Sequence, residues 1–286
     1  MTVPHNAGHT FNPGQISTKI PGQISVKINN RYKSMTARNR KLIEQLSSAT
    51  ILKKLWLLPS ALFDEATDLG PIMRAAVAAM RGLLIELLLK CPMRLNNLLL
   101  LKLDEHLIRP DPTEDLITAI VIPAEQTKNN MALVFPVSAK TSDLLTRWIR
   151  EFRSLLADPD NPYIFPGVGK NPMTRQGMRD TVKTITWERL GIAINPHAFR
   201  HLAGKVLLMA HPGAMNNVKL ALGHKSISTG ERSYVNEEQA AAISRLDQII
   251  ENERETLSVG KKPKKRKARA AKSKVSPPRA NKKEKQ

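Results

Sequence analysis

The longest apolar stretch of the sequence, residues 75–101, is interrupted by four charged side chains, Arg81, Glu86, Lys90 and Arg94. A membrane-spanning helix needs about 20 consecutive residues that are predominantly apolar and carry few or no charges. The stretch therefore predicts buried helix at the centre of a globular core, and it argues against a membrane span.

Helical periodicity extends on both sides of this stretch, with proline, glycine and asparagine at the expected boundaries. The pattern after residue 210 includes Gly223 as a C-terminal cap and Ser228 with Glu231 as a capping box. We expect helices at about 36–56, from Pro59-Ser60 onward, from Gly70-Pro71 to Lys90, at 93–101, 141–156 and 174–189, from Asn195-Pro196 to Met209, and at 213–221 and 236–255.

Two short apolar runs are typical of strands. They cover Ile117 to Ile122 and Met131 to Val137, and a polar segment from Glu125 to Asn130 separates them. Asn129 and Asn130 tolerate the left-handed backbone conformation that a hairpin turn needs. The sequence therefore predicts a mainly α fold with a small antiparallel β-sheet.

The last predicted helix places Ile243, Leu246, Ile249 and Ile250 on one side. Such an apolar face can pack on its own domain or dock on a neighbouring subunit. The sequence leaves both alternatives open.

Basic residues dominate the charge, which is +20 over the chain. The tail from Lys261 to Lys285 holds 13 Lys and Arg and one acid, a charge of +12 that leaves +8 for the rest. The body of the protein should therefore attract polyanions as well, and nucleic acid is the expected partner. An RNA-binding protein is disfavoured because aromatic residues are only 4% of the chain and no stacking motif is visible.

The two ends of the chain differ in composition from its centre. Residues 1–35 are polar and contain a tandem octapeptide, PGQISTKI at 13–20 and PGQISVKI at 21–28, too few copies for a solenoid. The single cysteine, Cys91, and the lack of an N-terminal secretory segment predict an intracellular protein. We expect a flexible arm at 1–35, a helical region at 36–56, a catalytic domain at 57–256 and a disordered basic tail at 257–286.

Four short segments carry residues suited to chemistry at a phosphate. They are Pro92-Met93-Arg94, Thr127-Lys128, HAFRH at 197–201, and LGH at 222–224 followed by Tyr234. His197 and Arg200 are three residues apart on one predicted helix and so share a face. Arginine forks match phosphate oxygens and stay protonated, and a tyrosine becomes a nucleophile where cations stabilise its phenolate. His201 is expected to be a packing residue.

The order of these segments resembles the tyrosine recombinase (phage integrase) family, whose signature has arginine, lysine, histidine-x-x-arginine, histidine and tyrosine in that order. The similarity runs from about Leu57 to Ile250. It implies a recombinase catalytic domain that cleaves and rejoins DNA strands through a 3′-phosphotyrosyl link.

The resemblance implies a role for each matched residue. Tyr234 would be the nucleophile, Arg94 and Arg200 would clamp the scissile phosphate, and Lys128 would protonate the leaving 5′ oxygen. His197 would accept a proton, and His224 would hydrogen-bond the phosphate. No metal or nucleotide cofactor is implied, because the phosphotyrosyl bond conserves the energy of the broken one.

Three features depart from the family pattern. Asn97 stands where an acidic residue usually follows the first arginine, Tyr234 lies ten positions after His224 where nine are common, and residues 36–56 are shorter than a complete DNA-clamp domain. Two alternatives therefore stay open beside a recombinase or integrase. One is a type IB topoisomerase-like enzyme, and the other is a degenerate family member that binds DNA without cutting it.

The expected partner is double-stranded DNA, with a homo-oligomer (a tetramer on DNA) and accessory DNA-bending proteins, and no membrane. In the tail, Lys264, Lys265, Arg266 and Lys267 should add salt-sensitive phosphate contacts. The run KKPKKRK also resembles a nuclear-import signal, but a bacterial cytoplasmic protein associated with the nucleoid is the simpler interpretation.

Overall fold

A computed structural model describes residues 37–46, 48–111, 114–128, 130–210, 218, 220–222 and 235–259. These residues form mainly helices together with one small sheet, in agreement with the predicted mainly α fold. The helices are α1 (Ala37–Gln45), α2 (Ala49–Leu69), α3 (Met73–Lys90), α4 (Leu95–Leu99), α5 (Leu103–His106), α6 (Ala139–Arg147), α7 (Arg175–Leu190), α8 (Pro196–Ala210) and α9 (Val235–Val259). The arm at 1–35, most of the 213–221 helix, the capping box and the basic tail lie outside the described residues.

Helix α3 is the centre of the core, as the apolar stretch predicts. It is buried around nearly its whole circumference, which is typical of a helix that packs on several sides. Helix α2 approaches it closely at Gly82, where a Cβ atom would lie 2.9 Å from the Phe63 ring. The side chains of Glu86 and Lys90 are buried within this core as well.

The predicted helix start at Pro59-Ser60 is wrong, because α2 continues through Pro59 from Ala49 to Leu69. Proline removes one backbone donor from a helix and disfavours its interior. Leu58, Leu62 and Phe63 are almost fully buried, and their packing offsets this cost. Helix α2 is also continuous across residue 57, where the sequence suggests a domain boundary.

The small sheet contains the predicted hairpin. Strands β1 (Leu107–Ile108), β2 (Ala119–Ile122) and β3 (Leu133–Pro136) pair antiparallel in that order. Ile120 lies opposite Phe135 and Ile122 opposite Leu133. Asn130 has a φ of 51°, so it takes the left-handed conformation expected in the turn. Helix α5 and strand β1 were not predicted from the sequence, because they are too short to show a periodic pattern.

The helix expected at 141–156 consists of three helical forms. Helix α6 continues into a π-helical segment, Trp148–Phe152, and a 3₁₀ turn, Arg153–Leu155. The indole of Trp148 is fully buried, and its Nε1 donates to the carbonyl oxygen of Ile164 at 2.9 Å. This bond fixes the expected loop after the helix against the core.

Helix α9 packs on its own domain, which is one of the two alternatives that the sequence leaves open. Ile243, Leu246 and Ile250 are at most 1% exposed, and Ile249 is half-buried. Helix α9 contacts β3 and the helices α2, α3 and α8. Within the described ranges, no helix has the length and apolarity needed to cross a membrane.

Candidate functional site

Arg200 is held rigidly in the first turns of α8. The helix begins as predicted, with Pro196 in its first position and the Asn195 side chain accepting a hydrogen bond from the backbone N–H of Ala198 at 3.0 Å. The Arg200 side chain is 7% exposed. Its Nη1 donates to the carbonyl oxygen of Pro92, and its Nη2 donates to that of Leu222 at 2.7 Å. The guanidinium is therefore oriented before any ligand arrives.

Arg94 lies beside Arg200, although the two residues are distant in sequence. It occupies the N-cap position of α4, half-buried, directly after the Pro92-Met93 segment that Arg200 contacts. Burial lowers the pKa of Arg200 to about 10, and the positive charge of Arg94 is the second cause. Among the described residues neither guanidinium forms an ion pair. Two adjacent cations without a carboxylate form a site for an anion.

His197 adjoins this pair from the first turn of α8. Burial lowers its pKa below the ordinary value, and the charge of Arg200 lowers it further. Its ring is therefore neutral at pH 7 and able to accept a proton. The His201 ring packs edge-to-face against it, with centroids 4.7 Å apart. His201, expected from the sequence to be a packing residue, thus packs against the candidate proton acceptor.

Lys128 lies on an exposed turn of the β2–β3 hairpin. The Thr127 hydroxyl braces this turn, because it lies 3.0 Å from the Ala124 carbonyl and 2.8 Å from the Met131 carbonyl and accepts from the Met131 N–H. In the part of the chain that the structure describes, no hydrogen bond or ion pair involves the Lys128 ammonium.

A buried histidine supports the same hairpin turn. His106 Nδ1 accepts from the backbone N–H of Lys102 at 3.0 Å, so its Nε2 carries the proton donated to Gln126 at 2.8 Å. Gln126 in turn donates to Glu105. This series of hydrogen bonds was not predicted from the sequence, because a histidine that follows two acids in a polar segment has no local signature.

The remaining predicted site residues, His224, Tyr234 and the tail residues Lys264, Lys265, Arg266 and Lys267, lie outside the described residues. The described chain nevertheless fixes both flanks of the segment that carries His224 and Tyr234. Leu222, two residues before His224 in sequence, accepts the hydrogen bond from Arg200. Val235, the residue after Tyr234, is the first residue of α9.

Asn97 has a free donor next to the arginine pair. It follows Arg94 by three residues on α4, its side chain is 8% exposed, and its Nδ2 atom has no hydrogen-bond partner. Buried donors without partners are rare in folded proteins. The Asn97 amide is therefore incompletely satisfied in the described part of the chain.

Comparison with models of protein families identifies one family. A family model described as "Phage integrase family" matches residues 62–241. No curated protein sequence matches the chain. Within the described residues, no group of three or more His, Cys, Asp or Glu side chains is placed to hold a metal ion.

Three solved structures are similar to the chain. An integrase from mycobacterium phage Brujita has 20% identity and a TM-score of 0.42, over 60% of this chain and 56% of that one. The XerA recombinase has 16% identity and a TM-score of 0.43, over 70% and 63%. The XerH site-specific recombinase bound to difH substrate in a pre-cleavage complex has 22% identity and a TM-score of 0.45, over 69% and 49%. The chain thus spans 49–63% of the length of these proteins.

Proposed function

Because the chain belongs to the phage integrase family, we propose that it is a site-specific DNA recombinase or integrase. It cleaves and rejoins DNA strands through a 3′-phosphotyrosyl bond to Tyr234. The observation that carries this proposal is the pairing of Arg94 with Arg200, whose guanidinium is fixed by two backbone carbonyl groups. The pair offers a scissile phosphate a preorganised positive site.

The two arginines stabilise the charge that develops during strand cleavage. As the Tyr234 oxygen attacks phosphorus, negative charge grows on the two non-bridging oxygens. Preorganised donors in a water-poor site stabilise such charge without a reorganisation cost. His224 adds a hydrogen bond to the same phosphate. Its position two residues after Leu222, which Arg200 contacts, supports this role.

Proton transfers complete the step. His197 accepts the Tyr234 proton, and its lowered pKa supports this assignment because the ring is neutral at pH 7. The bond between phosphorus and the 5′ oxygen breaks, and Lys128 protonates the leaving oxygen. The 5′-hydroxyl of another strand reverses these steps, so no nucleotide cofactor is needed.

The partners follow from the same chemistry. Double-stranded DNA is the substrate, two duplexes are joined by a homo-oligomer (a tetramer), and DNA-bending proteins assist. The basic tail, including Lys264, Lys265, Arg266 and Lys267, binds phosphates. We assign residues 57–256 to catalysis, 36–56 to a reduced clamp, and the protein to the bacterial nucleoid.

A second candidate is a family member that binds DNA without cutting it. Asn97 favours this alternative, because an amide stands beside Arg94 where family members usually have an acidic residue. Its Nδ2 atom has no hydrogen-bond partner among the described residues.

A covalent-trapping experiment separates these functions. The full chain is incubated with a pool of nicked duplexes of random sequence, and covalent protein–DNA adducts are isolated under denaturing conditions and sequenced. A recombinase forms an adduct that Tyr234→Phe abolishes, whereas a binding protein forms none. Intact duplexes carrying the selected site then divide the enzymes, because strand exchange indicates a recombinase and relaxation of supercoils alone indicates a topoisomerase.

A further inference from the structure

A buried ionic cluster joins the last helix to the core helix. It consists of Glu86 and Lys90 on α3 and Asp247, Glu251 and Arg254 on α9, and we call it the α3–α9 cluster. Arg254 lies 2.6 Å from Glu86 and 2.9 Å from Glu251, and Lys90 lies 2.6 Å from Glu251 and 2.8 Å from Asp247. These are short, charge-assisted contacts.

The cluster is ionised although it is buried. Glu86 is fully buried, which by itself would raise its pKa, but the charges of Arg254 and Lys90 hold the pKa below its ordinary value. The pKa of Lys90 and that of Arg254 are raised by the carboxylates, against the effect of burial. The charges therefore persist at neutral pH, so α9 leaves the core only by exposing unpaired ions.

A cluster of this kind specifies position more than it stabilises. Replacing a buried ion pair by apolar residues of similar size is often neutral or stabilising, whereas removing one partner is costly. The same attachment with apolar residues would permit α9 to slide or rotate by a fraction of a turn. Arg254 also donates from Nε to the Trp56 carbonyl at 2.9 Å, so the same side chain connects α9 to α2 as well as to α3.

A second polar anchor holds the other end of α9. Gln239, four residues after Val235, is 3% exposed, and its side-chain oxygen accepts from the backbone N–H of Val134 at 3.2 Å. Val134 lies in β3, the edge strand of the described sheet, which follows the turn that carries Lys128. The start of α9 is thus tied to the hairpin and its end to α3.

We propose that the α3–α9 cluster and Gln239 position the nucleophile, by fixing α9 on the subunit that holds Arg94 and Arg200. Tyr234 is covalently joined to Val235, the first residue of α9, so the start of this helix sets the point from which the phenol reaches the phosphate. Arg254 and Gln239 are positioning residues, because they hold α9 without touching the reacting atoms. This inference rests on the proposed function.

The first test measures whether the anchor of α9 affects the rate of cleavage. Arg254→Met removes the central cation, and Arg245→Met, an exposed arginine on the same helix, is the matched control. With saturating DNA from the selected pool, Arg254→Met lowers the rate of adduct formation roughly 10- to 100-fold, the effect of a small misplacement of a reacting group. DNA affinity stays unchanged, Arg254→Lys recovers part of the rate, and Arg245→Met behaves like the wild type.

Two further measurements guard against a simple folding defect. Hydrogen exchange of the 235–259 amides rises in Arg254→Met and not in Arg245→Met. The double variant Glu86→Gln/Arg254→Met removes charge on both sides and keeps the core folded, yet its adduct rate stays low. A folded Arg254→Met or double variant with the wild-type rate would overturn the positioning role.

If the wild type forms no adduct with any DNA of the pool, the proposed function fails instead, and the positioning role fails with it.

Discussion

Arg200 donates from Nη2 to the carbonyl oxygen of Leu222, 2.7 Å away, and so connects α8 to the segment that precedes His224 in sequence. Its Nη1 reaches the Pro92 carbonyl on the other side. A single planar fork therefore links the two segments that flank Arg94 and His224. A lysine ammonium has no such fork and cannot keep both contacts in one geometry.

Arg200→Lys should reduce both catalysis and stability. We expect the rate of adduct formation to fall on the order of 10²- to 10³-fold, the effect of losing one preorganised donor. One buried carbonyl also loses its partner, at a cost of about 1–3 kcal/mol in the free energy of unfolding. Urea denaturation and covalent trapping measure the two effects. Arg189→Lys, an exposed residue paired with Glu65, should change neither.

The pKa of His197 reports on the neighbouring guanidinium. Burial and the Arg200 charge place this pKa below 6.5, so adduct formation should decline as the pH falls through it and the proton acceptor becomes protonated. Arg200→Met removes the nearby charge and should raise the pKa, as followed by NMR titration of the ring. Arg245→Met is the control and should leave it unchanged. An unaltered His197 pKa in Arg200→Met would show that the Arg200 charge does not act on the ring.

Glu251 should make the fold sensitive to acid. Burial would raise its pKa, but hydrogen bonds from Lys140 and Lys90, together with the charges of Lys90 and Arg254, lower it to about 2. The unfolded carboxyl titrates near ~4.3. Because the folded pKa is the lower one, this contribution to stability is complete above pH ~4.3 and is lost as the pH falls toward 2.

Glu251→Gln should therefore flatten the pH dependence of the unfolding free energy in this acidic range, measured by denaturation at several pH values. Glu253→Gln, an exposed carboxyl on the same helix, should retain the wild-type dependence. Equal slopes in the two variants would contradict the low pKa of Glu251.

Periodicity and caps predict much of the fold, because both depend on neighbouring residues. Three predictions made in this way were confirmed by the structure: the apolar core helix, the hairpin and the Asn195 cap of α8. The Pro59 boundary was wrong, since the local preference of proline is outweighed by packing on α3. No local rule signals such tertiary compensation.

The candidate site was predicted by residue type and order, and its supports were not. The charge of Arg94 acts on Arg200 and that of Arg200 on His197, and the site residues themselves stay a prediction. The brace from His106 and the α3–α9 cluster depend on contacts between residues far apart in sequence. The buried Glu86 illustrates the difference. In sequence it is one charge that interrupts an apolar stretch, and its partner Arg254 lies on the last helix.

Gly82 should be intolerant of a side chain. A Cβ atom there would lie 2.9 Å from the Phe63 ring and 3.1 Å from the Pro59 carbonyl oxygen. Alanine gains about 1 kcal/mol of helix propensity, but overpacking costs about 1–3 kcal/mol. We expect a net loss in the free energy of unfolding for Gly82→Ala, measured by urea denaturation. In the background of Phe63→Leu, which makes room, the same change should cost less.

The basic tail should govern the salt dependence of DNA binding. Each phosphate neutralised on duplex DNA contributes about 0.9 to the slope of log K against log salt. Replacing Lys264, Lys265, Arg266 and Lys267 by glutamine should therefore reduce that slope by up to roughly 3.6 if all four bind phosphates. Binding should weaken for every DNA sequence alike, because phosphate contacts carry no sequence information.

Deletion of residues 260–286 should have a larger effect of the same kind, because it removes 13 basic residues instead of four. The remaining chain still carries a charge of +8, so part of the DNA affinity should persist. The rate of adduct formation at saturating DNA should stay unchanged in both variants, because the tail acts on affinity and not on the reacting phosphate. Fluorescence anisotropy across a salt series measures the slope, and covalent trapping measures the rate. A slope equal to that of the wild type would show that the tail does not contact phosphates.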